Sequence, residues 1–258
     1  MSPARPIITL LTDFGAGSGY PAQVKAVLLS ALPEVQLVDV SHEVTAYDVL
    51  AGALLLEACA PRFPPHAVHL AVVDPGVGTA RRAVALADAA GRRFVGPDNG
   101  LFTPFLDGAR VRELRPGEGP VPRPASSTFH GRDLFAPVAA FLAAGGEPAA
   151  LGPEVTDPVR LQWPRAVRRG DEVHGECLMA DAFGNVITSV TERDVGARPL
   201  VSAAGQEARF VVTYGEGRPG ELLALIGSSG RLELAVREGS AAARLGAFHG
   251  APVRVRVG

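Results

Sequence analysis

The sequence predicts an α/β fold with a mainly parallel sheet, followed by a small all-β barrel or sandwich. Three observations predict it. Short apolar runs alternate with helix-period runs through residues 6–145. The pattern breaks at 150–170, where "GPEVTDPVRLQWPRAVRRG" is rich in Pro and Arg and has no sustained period. Beyond it, β-like segments are separated by turns. Strand–helix alternation implies a parallel sheet covered on both faces, and serial short strands imply closure into a barrel or sandwich.

The elements follow in order. "PIITLLTDF" (6–14) is a buried strand. "YPAQVKAVLLSAL" (20–32) is a helix stopped by Pro33, and "VQLVDVS" (35–41) is the second strand. "TAYDVLAGALLLEACA" (45–60) is a helix with an apolar face, closed by Pro61. "AVHLAVVD" (67–74) is the third strand, with "AVALADA" and "RRFVGP" after it and a helix in "RDLFAPVAAFLAAG" (132–145). The expected boundaries are an α/β domain over 1–152, a linker over 153–170 and a β domain over 171–258. In the β domain only "SAAARLGA" has helical character.

Composition narrows the function. The chain has 258 residues, 47% hydrophobic and 20% charged, with a net charge of −2, so no basic field attracts nucleic acid or an anionic membrane. Lys25 is the only lysine, which reflects compositional bias. Cys59 and Cys177 form neither a disulfide framework nor a metal spacing, and both are expected as buried small hydrophobes. Asp13 interrupts the first apolar run too early for a signal peptide, and no run reaches membrane-spanning length. A cytoplasmic protein is expected.

Ligands of open parallel sheets sit beyond the carboxyl ends of the strands. Asp13 and Asp74 both lie at such ends, each beside a Gly-containing turn. One Asp there commonly caps a turn; two at one edge point to a site. "TDFG" (12–15) matches the kinase Asp-Phe-Gly motif, but no glycine-rich loop with a strand lysine and no His-Arg-Asp loop accompany it. "GAGSGY" (15–20) is neither a dinucleotide fingerprint nor a Walker loop. A carboxylate there suits a vicinal diol, whose two hydroxyls it can accept. His130, in "STFHGRDLFAP" (127–137), has the most site-like context of the six histidines. His42 is a weaker candidate, and His66 and His69 are expected to be structural or exposed. No His/Cys cluster suggests zinc. "DAFGNVIT" (181–188) and "LIGSSGRLEL" (225–234) are polar turns between apolar strands, which local sequence alone assigns to hairpins.

"LTDFG", "VVDPGVGT", "GPDNGLFTP", "STFHGRDLFAP", "DAFGNVIT" and "SSGRLELA" occur in that order along essentially the whole chain. Together they resemble the S-adenosyl-L-methionine hydroxide adenosyltransferases, once grouped under a domain of unknown function. These are water-using relatives of the fluorinase and chlorinase. The resemblance implies a Rossmann-like N-terminal domain and a C-terminal β-barrel. It also implies a homotrimer with each active site between one subunit's N-domain and its neighbour's C-domain. The implied reaction is SN2 attack of water at the ribose C5′ of S-adenosylmethionine, releasing adenosine and methionine without a cofactor or metal.

The family's Asp-Arg-His set falls on Asp74, Arg81 and His130, with Arg82 facing away. Asp13 would hold the ribose hydroxyls, and Phe129 would line the pocket near C5′. Asn185 would read the adenine edge, with Phe183 and Tyr214 offering ring faces and the backbone near Val236 and Glu238 completing recognition. Ser228 would contact the methionine end, and Asp181 would take its ammonium. The halogenases have Tyr where this chain has Asp74 and, in the fluorinase, Ser where it has Gly131. The fluorinase also has an insertion in the N-domain that this chain lacks. All three differences point to water. Gly227 and Arg231 replace an amide and an aromatic of the family pattern.

Three other functions compete. A halide-using adenosyltransferase is disfavoured by Asp74 and Gly131. A non-catalytic binder of adenosine or S-adenosylmethionine would carry the same binding residues. A phosphate-handling nucleotidase built on "DPGVGT" would need a metal cluster.

Overall fold

The computed structural model describes residues 5–246 and 249–257. The chain forms two compact units that divide between Gln162 and Trp163.

The first unit is built on six strands: β1 (Ile7–Thr12), β2 (Gln36–Ser41), β3 (Val68–Val72), β4 (Ala83–Ala87), β5 (Arg93–Pro97) and β6 (Arg110–Glu113). Their order is β2-β1-β3-β5-β4-β6. β2, β1, β3 and β5 run parallel, whereas β4 is antiparallel to both β5 and β6. The β4–β5 connection is too short for a parallel crossover. Asp88 ties it into a hairpin, accepting from the backbone N–H of Ala90 and Arg92 at 2.9 Å and from Arg92 Nε at 2.7 Å.

Helices α1 (Tyr20–Ala31) and α3 (Ala136–Ala143) cover one face of this sheet, burying Leu28, Val138 and Leu142 against Ile8, Leu10, Val68 and Leu70. Each fully buried apolar side chain of this size contributes about 1.5–3 kcal/mol. α2 (Val49–Cys59) covers the other face, where Gly52 lets it approach Leu11, Val73 and Leu101. α2 starts at Val49 and not near 45, because Asp48 caps it by accepting from Ala51 N at 2.9 Å. Residues 45–48 are loop, with Tyr47 at φ +68°.

On that second face Thr9 Oγ1 lies 2.8 Å from His69 Nδ1. His69 is buried beside the rings of Phe63 and Phe94, and its Nε2 has no partner among the described residues. Burial, aided by the charge of Arg92 and opposed by that of Asp88, pulls its pKa down to about 4. As pH falls through roughly 6.5 to 4, the unfolded chain therefore binds a proton that the folded chain refuses. Stability should drop through that window by about 3 kcal/mol from this group. His69→Gln keeps a polar partner for Thr9 and should flatten the acid loss measured by urea unfolding between pH 7 and pH 4.5. Equal acid losses in variant and parent would sink the assignment.

The second unit contains β7 (Val167–Arg169), β8 (Glu172–Ala180), β9 (Val186–Thr191), β10 (Leu200–Ala203), β11 (Gln206–Phe210), β12 (Leu222–Ile226), β13 (Arg231–Val236) and β14 (Pro252–Arg256). The order is β14-β10-β11-β12-β13-β9-β8-β7, and β14 also pairs with β8, which closes a barrel of seven strands. Closure leaves no open edge among those seven, and Val173, Val190, Val201, Leu232, Leu234 and Val253 fill the interior. Residues 167–169, expected within the linker, instead pair as β7 along β8. The one helical run expected here forms α4 (Ala241–Leu245), capped by Ser240 and ended by Gly246 at φ +55°. Cys177 is buried in the barrel and Cys59 half-buried; both are free thiols. No helix among the described residues is long and apolar enough to cross a membrane.

Candidate active site

β1 and β3 are parallel neighbours, so their carboxyl ends lie at one edge of the sheet. Asp13 follows β1 directly, and Asp74 lies two residues beyond β3. Both line a cleft of about 530 Å³ together with Phe14, Tyr20, Phe129, His130 and Gly131.

The segment after Asp74 doubles back on itself. Val77 N donates to Asp74 O at 3.3 Å and Thr79 N to Gly76 O at 3.1 Å. Gly78 sits at φ +76°, and a Cβ there would lie 2.8 Å from Ser127 O, so only glycine fits. The turn returns Arg81 to the carboxylate seven residues earlier. Arg81 Nε donates to Asp74 Oδ1 at 2.9 Å and to Oδ2 at 3.0 Å, and Nη2 donates to Oδ2. The same Nη2 lies 3.0 Å from His130 Nδ1. Both side chains of the ion pair are buried, 12% exposed for Arg81 and 5% for Asp74, so the pair is held away from solvent screening. Phe135 closes the back of the site, 5.3 Å from the guanidinium carbon to its ring centre.

This geometry fixes the state of His130. A guanidinium has only donors, so Nδ1 must accept, and the ring is neutral with its proton on Nε2. Burial and then the charge of Arg81 lower the His130 pKa, against smaller opposing contributions from Asp74 and Asp133. His130 immediately precedes a single π-helical turn, Gly131–Phe135, that leads into α3; such turns recur at functional sites. Arg132 beside it pairs with Asp133 and lies over Phe129 at 4.8 Å. Arg82 turns away, to Asp98 at 2.8 Å and Asp157 at 2.7 Å.

Asp13 Oδ2 accepts from Tyr47 N at 2.9 Å. Oδ1 has no partner among the described residues and remains for a ligand. The strand end carrying Asp13 is braced from below. Thr12 Oγ1 accepts from Phe14 N at 3.3 Å and lies 2.8 Å from His42 Nδ1. His42 Nε2 meets Asp39 at 3.1 Å, and Asp39 pairs with Lys25. His42 is thus buried support, not a cleft group.

The remaining candidates belong to the barrel unit. Asp181, Phe183 and Asn185 share the β8–β9 turn. Asp181 Oδ1 accepts from Phe183 N and Asn185 N at 2.9 Å, and Oδ2 from Asn185 Nδ2 at 3.0 Å. Its carboxylate therefore orders the turn, and Asn185 keeps its carbonyl oxygen and the second N–H of its amide for another partner. Phe183 is 80% exposed, a full ring face available for contact. The Tyr214 hydroxyl donates to Glu233, a buried carboxylate that sequence reading missed. Burial raises the pKa of both groups. Glu233 also explains Gly227: a Cβ there would lie 2.5 Å from Glu233 Oε2. Ser228 is exposed in the β12–β13 turn, and Val236 ends β13. Glu238 sits at φ +59°, its carboxylate 3.5 Å from Arg237 Nε. A larger groove of about 870 Å³ on the barrel is lined by Arg, Glu and apolar residues with no imidazole or nucleophile, so volume alone does not mark chemistry here.

No group of three or more His, Cys, Asp or Glu that could hold a metal occurs among the described residues. A cleft at parallel strand ends, with a buried carboxylate, guanidinium and imidazole in contact, defines an enzyme of the α/β type with an appended barrel. The family model for the SAM hydroxide adenosyltransferase N-terminal domain matches residues 8–152, and that for the C-terminal domain matches residues 175–254. The chain belongs to the SAM hydroxide adenosyltransferase family. It is 45% identical to a protein named (R)-S-adenosyl-L-methionine hydrolase from Thermus thermophilus, over 97% of this chain and 99% of that one. A protein named fluorinase from Nocardia brasiliensis is 28% identical, over 98% of each chain. A crystal structure of an uncharacterized conserved protein from Thermotoga maritima superposes with a TM-score of 0.89 at 33% identity, covering 96% of this chain and 99% of that one.

Proposed function

We propose that this chain hydrolyses S-adenosyl-L-methionine to adenosine and L-methionine. The observation that carries the reading is the Asp74–Arg81–His130 contact at the cleft, in a chain similar over nearly its whole length to a named hydrolase. Water attacks C5′, the C5′–O bond forms as the C5′–S bond breaks, and the electron pair leaves on sulfur as a neutral thioether. One proton must leave the water. Asp74 Oδ1 accepts a single bond from Arg81 and has a lone pair left to take that proton. His130, protonated at Nε2, donates to the water oxygen and orients it. Arg81 holds the two together through its bonds to Asp74 and its contact with His130. Sulfonium and incipient hydroxide annihilate charge, so a dry cleft favours the step, and neither metal nor cofactor is needed.

The reading extends to Asp13 on the ribose diol, Phe129 near C5′, and Asn185, Phe183, Tyr214 and the Val236–Glu238 backbone on adenine. Ser228 and Asp181 are assigned to the methionine end. It includes a cytoplasmic homotrimer with no nucleic-acid or membrane partner, supported by the family resemblance; sedimentation as a monomer at micromolar concentration would remove the trimer.

Purified protein incubated with S-adenosylmethionine should release adenosine and methionine in equal amounts, unaffected by chloride. A chlorinated nucleoside, or no product with adenosine bound, would each displace the reading. The acid limb of kcat/KM should lie below the ordinary histidine range. The lowered pKa keeps His130 neutral there, and protonating Nδ1 would set it against Arg81. An acid midpoint above about pH 6.5 would contradict that arrangement.

A further inference from the structure

The stretch "GPDNG" (96–100) supplies no group to the chemistry described above, yet two of its side chains are tightly bonded. Among the described residues, neither Asp98 nor Asn99 lines the cleft. Sheet topology sets their place. β5 lies between β3 and β4, parallel to the first and antiparallel to the second. Its carboxyl end therefore emerges between the two ends of the loop 73–82, which leaves β3 after Val72 and enters β4 at Ala83. Asn99 Nδ2 donates to Val73 O at 2.8 Å, gripping the peptide group that joins Val73 to Asp74. Asp98 N donates to Arg82 O at 2.9 Å, and Asp98 Oδ2 accepts from Arg82 Nε at 2.8 Å. The residues gripped, Val73 and Arg82, are the chain neighbours of Asp74 and Arg81.

We infer that Asp98 and Asn99 are positioning residues for the Asp74–Arg81 pair: from adjacent places at the end of β5 they hold the two ends of the loop that carries it. This inference rests on the hydrolysis proposed above. Bonds inside the loop, from Val77 N to Asp74 O and from Thr79 N to Gly76 O, shape the turn but do not fix it to the sheet. The two end clamps do. Each side chain suits its task. Asn99 uses both halves of its amide, Nδ2 for Val73 O and Oδ1 to accept from Leu101 N at 3.2 Å. Asp98 uses both oxygens, because Oδ1 accepts from Val159 N at 2.8 Å while Oδ2 takes Arg82. The Asp98 side chain is only 4% exposed, so a donor left unmet there finds little water. The fork of Arg81 on Asp74 tolerates little displacement. Misplacing a reacting group by about 1 Å costs on the order of 10²-fold in rate.

The test is a double-substitution cycle of Asn99→Ala with Asp74→Asn, in protein shown to be folded by circular dichroism. Asn99→Ala alone should lose about 10–100-fold in kcat with KM within about threefold. In the Asp74→Asn background the same change should cost less than about threefold, because Asn99 acts through Asp74. Equal losses in both backgrounds, or wild-type kcat in Asn99→Ala, would overturn the positioning role. Should Asn99→Ala fail to fold, Asp98→Asn carries the same cycle. Its single remaining oxygen can serve Arg82 Nε or Val159 N but not both. A second readout needs no substrate. Burial and then the charge of Arg81 hold the His130 midpoint down, against Asp74 and Asp133, and Arg81 Nη2 lies 3.0 Å from His130 Nδ1. A loosened loop withdraws Arg81, so the midpoint followed by NMR should rise in either variant; an unchanged midpoint would overturn the clamp. If wild type releases no adenosine, the hydrolysis proposal fails separately, and the His130 titration still decides whether residues 98 and 99 hold the pair.

Discussion

Replacing Asp74 with asparagine should lower kcat by about 10²–10⁴-fold while leaving KM within about threefold. The substitution preserves shape. The amide oxygen still accepts from Arg81, so the turn that brings residue 81 back to residue 74 keeps an anchor. What disappears is the charged acceptor that is assigned the proton of the attacking water and is held against Arg81. His130 cannot take over, because its Nδ1 is engaged by Arg81 and its Nε2 carries a proton. The split between kcat and KM matters, since Asp74 is assigned to the transition state and Asp13 to the bound ribose. Asp13→Asn should show the opposite split. An Asp74→Asn enzyme within tenfold of wild type would place the base elsewhere and leave the buried ion pair as a structural device.

The frame of this site was legible in the sequence because it follows from strand ends. An apolar run that stops at Asp must stop at a sheet edge, and two such runs in parallel register put Asp13 and Asp74 side by side. The ordered motifs supplied Arg81 and His130. Other parts were not legible. Phe14, Tyr20 and Phe129 meet from separate elements, and no periodicity encodes ring contacts across a hundred residues. Glu233 sits in an apolar strand, "RLELAV", where alternation alone would turn it to solvent; it is instead buried under Tyr214. The antiparallel β4 escaped a reading of strand–helix alternation, because only the Asp88 turn shows that the chain reverses there. His42 reached the right neighbourhood for a different reason from the one its position suggested. It supports Thr12, and through it the loop of Asp13.

Arg81→Gln should cost about 3–5 kcal/mol of stability, more than a typical substitution, because it strands the Asp74 carboxylate in a site only 5% exposed. Chemical unfolding of variant and parent checks the size: a deficit within about 0.5 kcal/mol would refute the account. Adding Asp74→Asn to Arg81→Gln should recover stability, because the second change removes the stranded charge, and the coupling of the two in a double-substitution cycle measures the pair. Activity should not recover, since neither base nor anchor remains. Arg81→Lys separates charge from shape. A lysine can neutralise Asp74 and restore most of the stability. A single ammonium, however, cannot reproduce the fork that grips Asp74 along Nε and Nη2 while holding His130 Nδ1. It should therefore leave a folded enzyme slower by about 10²-fold or more, the loss expected when a reacting pair is no longer held in register. A lysine variant with wild-type kcat would show that charge alone suffices at position 81, and that His130 needs no guanidinium to set its tautomer.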